Sequence, residues 1–157
     1  MSDLHLGALR ITSPDIEPEG RIPERHTSDG EDIAPVLRFH AVPPGALSLA
    51  VVCHDPDAPL THGFDHWVLY NLDRDKVEIG PGARDATEGR NSFGTLGYGG
   101  PAPPPGHGIH HYYFHLYALD ARLDATAGLT RRELLDVIDA HIIEQARLVG
   151  TYSVDAH

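Results

Sequence analysis

Turns rich in glycine and proline divide this chain into short segments, and their spacing restricts the folds that the chain can adopt. Apolar runs recur between these turns about every ten to fifteen residues. Short apolar runs bounded by turn-forming residues are typical of β-strands, so the sequence predicts a mainly β protein. A chain of 157 residues is long enough for one domain with a real core and too short for two. We therefore expect a single domain spanning 1–157.

The alternation of side chains expected of β-strands occurs in three segments and, more weakly, in a fourth: residues 47–55, 66–72, 110–120 and 36–42. In the first segment, Asp55 shares the most apolar face and lies where Pro56 ends the strand. In the third, His110 and Tyr112 share one face, whereas His111 points to the other. Alternation therefore separates neighbouring His and Tyr residues onto opposite faces of a sheet.

One helix is predicted, near the C-terminus. Thr130 and Glu133 have the spacing of a capping box, apolar residues follow at helical intervals as far as Ile142, and Gly150 is a reasonable stop signal. Residues 84–100 show little periodicity and are predicted to form a long ordered loop, a type of segment that often carries function.

Composition and charge exclude several classes of function. A formal net charge of −11 argues against an extended nucleic-acid surface, which needs clustered Lys and Arg. Cys53 is the only cysteine, which excludes an intrachain disulfide and a structural zinc site built on cysteines. The N-terminus lacks a secretory signal, and no window approaches the roughly 18 consecutive apolar residues of a membrane span. We therefore expect a cytoplasmic protein without stable membrane insertion.

The first chemically suggestive cluster is the segment CHDPDAP. Pro56 and Pro59 fix the backbone, so Asp55 and Asp57 lie on a rigid corner at the end of a strand. These carboxylates could simply cap the turn by accepting backbone N–H bonds. They could also belong to a ligand site, and the pattern by itself names no reaction.

The second cluster is HGFDHWV, in which His62 and His66 are four residues apart. A zinc site with this spacing requires a helix, and the surrounding residues favour a loop followed by a strand. A buried His66 held by a carboxylate is the better hypothesis, with Asp55 as its partner if the two strands are neighbours. No nucleophile elbow accompanies the pair, so binding or modest acid/base chemistry is favoured over hydrolysis.

The third cluster is the loop GTLGYGGPAPPPGHG before the strand at 110–120. It is not a P-loop, because no Gly-Lys-Ser/Thr follows, and its glycine spacing does not match a dinucleotide fingerprint. Two interpretations remain open. The loop could be a rigid rim whose free N–H groups hold an anion, or it could be a tight connection.

Together, these clusters resemble the phosphatidylethanolamine-binding protein family, in particular its bacterial branch of Raf kinase inhibitor-like proteins. The resemblance runs from Ile11 to Tyr152, and the resembling segments are SPD…GRIP, TSDGEDIAP, DPDAP, HWVLYNL, GYGGPAPPPGHGIHHYYFHLYALD and ELLDVIDAHIIEQARLVGTY. It implies a β-sandwich of two antiparallel sheets with a C-terminal helix and a few short peripheral helices. It also implies a small anion-binding pocket at one end.

The same resemblance assigns the pocket residues position by position. The ligand-binding residues that it implies are Asp55, Asp57, His66, Gly100, Pro103, Pro104, His110 and Tyr112. Asp55 is the implied pocket aspartate, His66 and His110 are the two pocket histidines, and Tyr112 lies beside them. No metal and no cofactor are expected.

The sequence departs from the family pattern in three places. His111 stands where Arg is usual, His26 where many members have Tyr, and Phe39 where Trp is frequent. None of these changes removes a pocket residue, although they put the rim contacts in question. The chain ends seven residues after Gly150, so we expect an open pocket that binds small anions weakly.

Three classes of function follow from this pocket. The first is a small-anion-binding protein for phosphate, phosphoethanolamine or carboxylate, with tighter binding below neutral pH. The second is a regulatory or inhibitory partner of a protein kinase or a protease. The third is an enzyme of the cyclase or isomerase type that uses Asp55, His66, His110 and Tyr112 for acid/base catalysis. Homodimerisation is expected by analogy with bacterial relatives.

Overall fold

The computed structural model describes residues 7–82 and 86–155. Its strands, in chain order, are β1 (Arg10–Thr12), β2 (Leu37–His40), β3 (Ser48–Asp55), β4 (Phe64–Asp73), β5 (Glu78–Ile79), β6 (Thr87–Glu88), β7 (His110–Leu119) and β8 (Ile142–Tyr152). One α-helix, α1, spans Arg131–Ile138, and short 3₁₀ turns lie at Glu24–His26 and Asp139–His141. The mainly β prediction is confirmed.

The strands form two antiparallel sheets. The larger sheet has the order β6-β4-β3-β7-β8, and the smaller one has the order β1-β2-β5. Because β3 is central and antiparallel to both β4 and β7, the end of β3 lies beside the beginnings of β4 and β7. Chain topology therefore brings residues near 55, 64–66 and 110–112 to one end of the larger sheet.

The main core lies between the two sheets. Ile11, Leu37 and Phe39 of the smaller sheet pack toward the apolar face of the larger one: Leu49, Val51, Cys53, Trp67, Leu69, Phe114 and Leu116. Each fully buried side chain of this size contributes roughly 1.5–3 kcal/mol by leaving water. The alternation predicted for residues 110–120 is confirmed, because His110, Tyr112 and the inner core residues share this face.

A second core covers the other face of the larger sheet. Leu134 and Ile138 of α1 pack with Val52, Val68 and Tyr70. Residues 48–53 are therefore buried on both faces, whereas Leu47, which the sequence placed in the strand, lies outside β3 and is exposed.

The predicted start of α1 is confirmed, and its predicted end is wrong. The Thr130 hydroxyl accepts from the backbone N–H of Glu133 (3.2 Å), and the Glu133 carboxylate accepts from the backbone N–H of Thr130 (2.9 Å). The helix ends at Ile138, and the residues from Ile142 onward form β8 rather than a helix reaching Gly150. Pairing with β7 along ten register positions outweighs the helical spacing of a few apolar residues.

The long loop predicted at 84–100 is confirmed in outline within the described residues. Residues 83–85 lie outside the description, and the remainder is irregular except for β6 and a bridge between Arg90 and Leu96. In the part of the chain that is described, no helix is both long and apolar enough to cross a membrane.

Candidate functional site

A cavity of about 230 Å³ opens at the end of the larger sheet where β3 ends and β4 and β7 begin. Its lining combines a few polar groups with many apolar ones: Asp55, Ala58, Pro59, Leu60, Phe64, His66, Phe93, Ala102, Pro103, Pro104, His110 and Tyr112. Six of the eight predicted ligand-binding residues line this cavity. Asp57 and Gly100 do not.

Asp55 is buried at the end of β3 and accepts two hydrogen bonds. One carboxylate oxygen, Oδ1, accepts from the backbone N–H of Asp57 (2.7 Å), and the other, Oδ2, accepts from Nδ1 of His110 (2.6 Å). The turn-capping interpretation is therefore confirmed, and the same carboxylate also orients His110, which lines the cavity with it. A buried carboxylate needs such partners, and these two bonds give each of its oxygens one.

His66 is buried on β4, and its partner differs from the predicted one. Nδ1 of His66 donates to the carbonyl oxygen of Gly99 (2.7 Å) and not to Asp55, because the turn after β3 directs Asp55 toward β7. A carbonyl can only accept, so the hydrogen of the neutral ring lies on Nδ1 and Nε2 is the nitrogen left for a ligand. Burial lowers the pKa of His66, although the Gly99 carbonyl and the nearby Asp55 charge oppose this effect.

His110 is buried at the start of β7 and has hydrogen-bond partners at both ring nitrogens. Nδ1 donates to Asp55, and Nε2 lies 2.5 Å from Nδ1 of His107, so one of the two rings donates to the other. Sequence reasoning missed His107. The available signal was its position between Gly106 and Gly108, which both have positive φ (75° and 93°) and turn the loop back toward β7.

Tyr112 is buried beside both pocket histidines. Its ring centroid lies 5.2 Å from that of His66 and 6.3 Å from that of His110. Burial, with a further contribution from the Asp55 charge, raises the pKa of its hydroxyl well above the usual value. Tyr112 is therefore a neutral phenol at any physiological pH and can donate a hydrogen bond to a ligand.

The Gly/Pro loop forms the rim through side chains rather than through free N–H groups. Pro103 and Pro104 line the cavity. The N–H groups of nearby glycines donate within the protein: Gly99 to the carbonyl of His66 (2.9 Å), and Gly100 to a carboxylate oxygen of Asp32 (2.8 Å). The N–H groups of Gly99 and Gly100 are therefore not free to hold an anion. Gly100 instead allows close packing, because a Cβ there would collide with the carbonyl of His26.

Asp57 lies outside the cavity, on the half-exposed outer side of the corner. Its Oδ2 accepts from the backbone N–H (2.7 Å) and from Nδ1 (2.8 Å) of His111. Slight burial raises the pKa of Asp57, but these bonds from His111 outweigh it and the pKa is lowered. His111, which stands where Arg is usual in the family, thus fixes the corner to the outer face of β7.

The apolar half of the lining was not predicted from the sequence. Phe64 and Phe93 meet edge to face with ring centroids 4.6 Å apart, and Leu60 also lines the cavity. Phe93 is positioned by Asn91, a buried side chain that accepts from the backbone N–H of Phe93 (3.0 Å). The available signal was an aromatic residue inside a loop expected to carry function.

The sequence already argued against a zinc site formed by His62 and His66. Over residues 7–82 and 86–155, no group of three or more His, Cys, Asp or Glu side chains is arranged to hold a metal ion. Cys53 is buried, and burial raises its thiol pKa well above the usual value. The chemistry of the cavity therefore rests on one carboxylate, two imidazoles and one phenol.

Comparison with known proteins gives a consistent assignment. A family model described as phosphatidylethanolamine-binding protein matches residues 12–153. The UPF0098 protein of Methanothermobacter thermautotrophicus is 43% identical over 140 residues, which cover 85% of this chain and 91% of the relative. The crystal structure of CT736, a phosphatidylethanolamine-binding protein homologue from Chlamydia trachomatis, superposes with a TM-score of 0.88 at 38% identity, covering 94% of this chain and 99% of that one. The structure of YBCL from E. coli, described as a member of the mammalian family, also gives 0.88, at 27% identity and the same coverage.

Proposed function

The chain belongs to the phosphatidylethanolamine-binding protein family, and on that premise we propose that it is a small-ligand-binding protein whose cavity takes phosphate, a phospholipid headgroup or a carboxylate. The observation that carries the proposal is the convergence of Asp55, His66, His110 and Tyr112 on one cavity. Such a convergence of a few polar groups in a concave site is characteristic of ligand pockets.

Anion binding in this cavity is coupled to proton uptake. When His66 is neutral, the lone pair on its Nε2 and the carboxylate of Asp55 both repel an anion. The hydroxyl of Tyr112 is then the hydrogen-bond donor that the cavity offers to the anion. Protonation of His66 turns Nε2 into a charged donor, and charge-assisted hydrogen bonds of this kind are the strong ones. Because burial lowers the pKa of His66 in the free protein, a bound anion must raise it. Affinity therefore increases as pH falls from neutral toward the pKa of the free protein.

Acetate binding measured by calorimetry between about pH 6 and pH 8 tests this coupling. Acetate stays ionised throughout this range, so its profile reports the protonation of the protein alone. We expect the association constant to rise as pH falls, by at most about tenfold per pH unit for one proton. His66→Gln keeps an amide that can donate to Gly99 but cannot be charged, and it should reduce the slope. His141→Gln, at an exposed histidine paired with Asp120, should keep it. A flat profile for the unmodified protein would contradict the proposal.

A regulatory role toward a protein kinase or a protease is part of the same proposal, with the cavity and its rim as the contact surface. Its support is the family relationship. Capture of a specific kinase or protease from lysate should be lost on His66→Gln and kept on His141→Gln. Equal capture by the unmodified protein and by His66→Gln would show that the partner binds outside this cavity.

We also propose that the protein is cytoplasmic and forms a homodimer. Cell fractionation would test the location, and light scattering would test the oligomeric state.

An acid/base enzyme of the cyclase or isomerase type is the second candidate, and one observation favours it. Asp55, His110 and His107 form a continuous hydrogen-bonded chain from a buried carboxylate to an exposed imidazole, an arrangement that can move a proton between the cavity and solvent. Incubation of a metabolite extract in heavy water should then give deuterium incorporation that depends on His110. Equal incorporation with the unmodified protein and with His110→Asn would remove this candidate.

A further inference from the structure

The walls of the cavity are far more apolar than an inorganic anion requires. The lining carries the apolar side chains of Leu60, Phe64, Phe93, Pro103 and Pro104 together with the four polar groups. Leu60 is 58% exposed and Phe93 is 49% exposed, so both present apolar surface to solvent at the cavity mouth. A contiguous apolar surface around a polar site marks a place where a ligand covers it.

The charge that the cavity can present is small. Asp55 carries one buried negative charge, and both of its oxygens already accept hydrogen bonds. If His110 is protonated, its charge only balances that of Asp55. His66 is the other imidazole in the lining, so the net positive charge available to a ligand is at most about one, reached when both imidazoles are protonated. A dianion would keep one uncompensated charge in a poorly solvated site, and such a charge is costly.

From these two observations we propose that the preferred ligand is a monoanionic carboxylate with an aromatic body, rather than inorganic phosphate. The inference rests on the proposed function, since it specifies the ligand class of the same site. The carboxylate binds Nε2 of protonated His66 and the hydroxyl of Tyr112. The aromatic body lies toward the mouth, against Leu60 and Phe93, and removes their apolar surface from water.

A ligand series measured by calorimetry tests the inference, with the carboxylates compared at about pH 6 and benzoate compared with the phosphate compounds at about pH 8, where both phosphate compounds are dianions. The probes are acetate, benzoate, inorganic phosphate and phenyl phosphate. Each buried methylene equivalent improves affinity about fourfold, so benzoate should bind at least about tenfold more tightly than acetate. At about pH 8, benzoate should also bind more tightly than either phosphate compound, because benzoate carries one charge and each phosphate compound carries two.

The outcomes distinguish this inference from the function on which it rests. If acetate and phosphate bind but benzoate is no tighter than acetate, the ligand class is wrong and the anion pocket stands. If phenyl phosphate binds more tightly than benzoate at about pH 8, the preference for a single charge is wrong. If none of the four anions binds, the proposed function itself fails.

Matched variants locate the apolar contribution. Phe93→Ala should lower the ratio of benzoate to acetate affinity about fivefold or more, since a phenyl contact is lost. Leu60→Ala, at the second exposed apolar residue of the lining, should lower the same ratio and controls for a local effect of Phe93→Ala on its own loop. Leu96→Ala removes an exposed apolar side chain from the same loop but outside the cavity lining, and it should leave the ratio unchanged. Equal ratios in all three variants would overturn the proposed orientation.

Discussion

At the scale of single residues, two neighbouring carboxylates make contacts of similar geometry that differ in burial and therefore in their contribution to stability. Asp55 and Asp57 each bind Nδ1 of a histidine on β7, at 2.6 and 2.8 Å. The pair of Asp55 and His110 has 3% of either side chain exposed, whereas the pair of Asp57 and His111 has more than 40% exposed. Removing one partner of a buried pair leaves an unsatisfied polar group, while an exposed pair exchanges its partner for water.

We therefore predict different costs for the same substitution at these two positions. Asp55→Asn should lower the free energy of unfolding by about 1–3 kcal/mol, because His110 loses its charged partner. Asp57→Asn should cost about 1 kcal/mol or less, since its partner is half-exposed and screened by solvent. Chemical denaturation of both variants at neutral pH measures the difference. Equal destabilisation would show that burial does not control the strength of these pairs.

At the scale of elements, β8 demonstrates the limit of local periodicity. Ile142, four residues after Ile138, continues the helical spacing of apolar residues. The later positions Leu148, Gly150 and Tyr152 instead alternate along the strand and are buried on its core face. The start of α1 was predictable because a capping box is a local interaction between residues three apart. The end of the helix depends on pairing with β7, which is local in space and distant in sequence.

Gly150, predicted as a helix stop, has a different role within β8. It pairs with Tyr112, and a Cβ added there would lie 2.7 Å from Cγ1 of Ile22 and 3.0 Å from Cγ2 of Ile16. The absence of a side chain allows the segment around Ile22 to pack onto the strand next to a pocket residue.

Gly150→Ala should therefore lower the free energy of unfolding by about 1–3 kcal/mol through overpacking. Gly45→Ala is the control, because a Cβ there would meet only Cδ1 of Ile143 at an ordinary 3.7 Å. The control should be neutral or stabilising by up to about 1 kcal/mol, since alanine restricts the unfolded chain. Thermal or denaturant unfolding measures both. A neutral Gly150→Ala variant would mean that Ile16 and Ile22 move aside without cost.

At the scale of the whole molecule, the larger sheet is covered on both faces, and a histidine is held neutral on each. His66 lies on the inner face at the cavity, and His115 lies on the outer face, stacked between Tyr113 and Tyr117 at centroid distances of 5.9 and 6.1 Å. Burial lowers the pKa of His115 to about 4, with a further contribution from the neighbouring His54 and Arg147. Both histidines therefore favour the folded state in their neutral form.

The resulting pH dependence of stability has a definite sign. The pKa of His115 is about 4 in the folded protein and about 6.5 in the unfolded chain, so between these values the unfolded state binds the extra proton. The stabilisation is complete above about pH 6.5 and is lost as pH falls toward 4, up to about 3 kcal/mol for this residue. His115→Phe keeps a ring in the stack and should flatten the profile measured by denaturation. His62→Gln, at an exposed position, should not. Equal slopes in both variants would contradict the assignment.

What the sequence determined by itself was local or carried by recognisable motifs. Glycine and proline spacing indicated the strands, alternation placed His110 and Tyr112 on one face, and the capping box located the start of α1. Motif order identified the family and, with it, six residues that line the cavity. These inferences succeeded because alternation and capping depend on residues a few positions apart.

Only the tertiary structure decided which groups meet. In the structure, Asp55 is hydrogen-bonded to His110 rather than to His66. His66 is hydrogen-bonded to the Gly99 carbonyl, and His107 is hydrogen-bonded to the ring of His110. The tertiary structure also turns residues 142–152 into a strand and brings the loop residue Phe93 to the cavity. Each of these contacts depends on strand order, register and loop path, because packing between segments distant in sequence selects among partners that local patterns leave equally available.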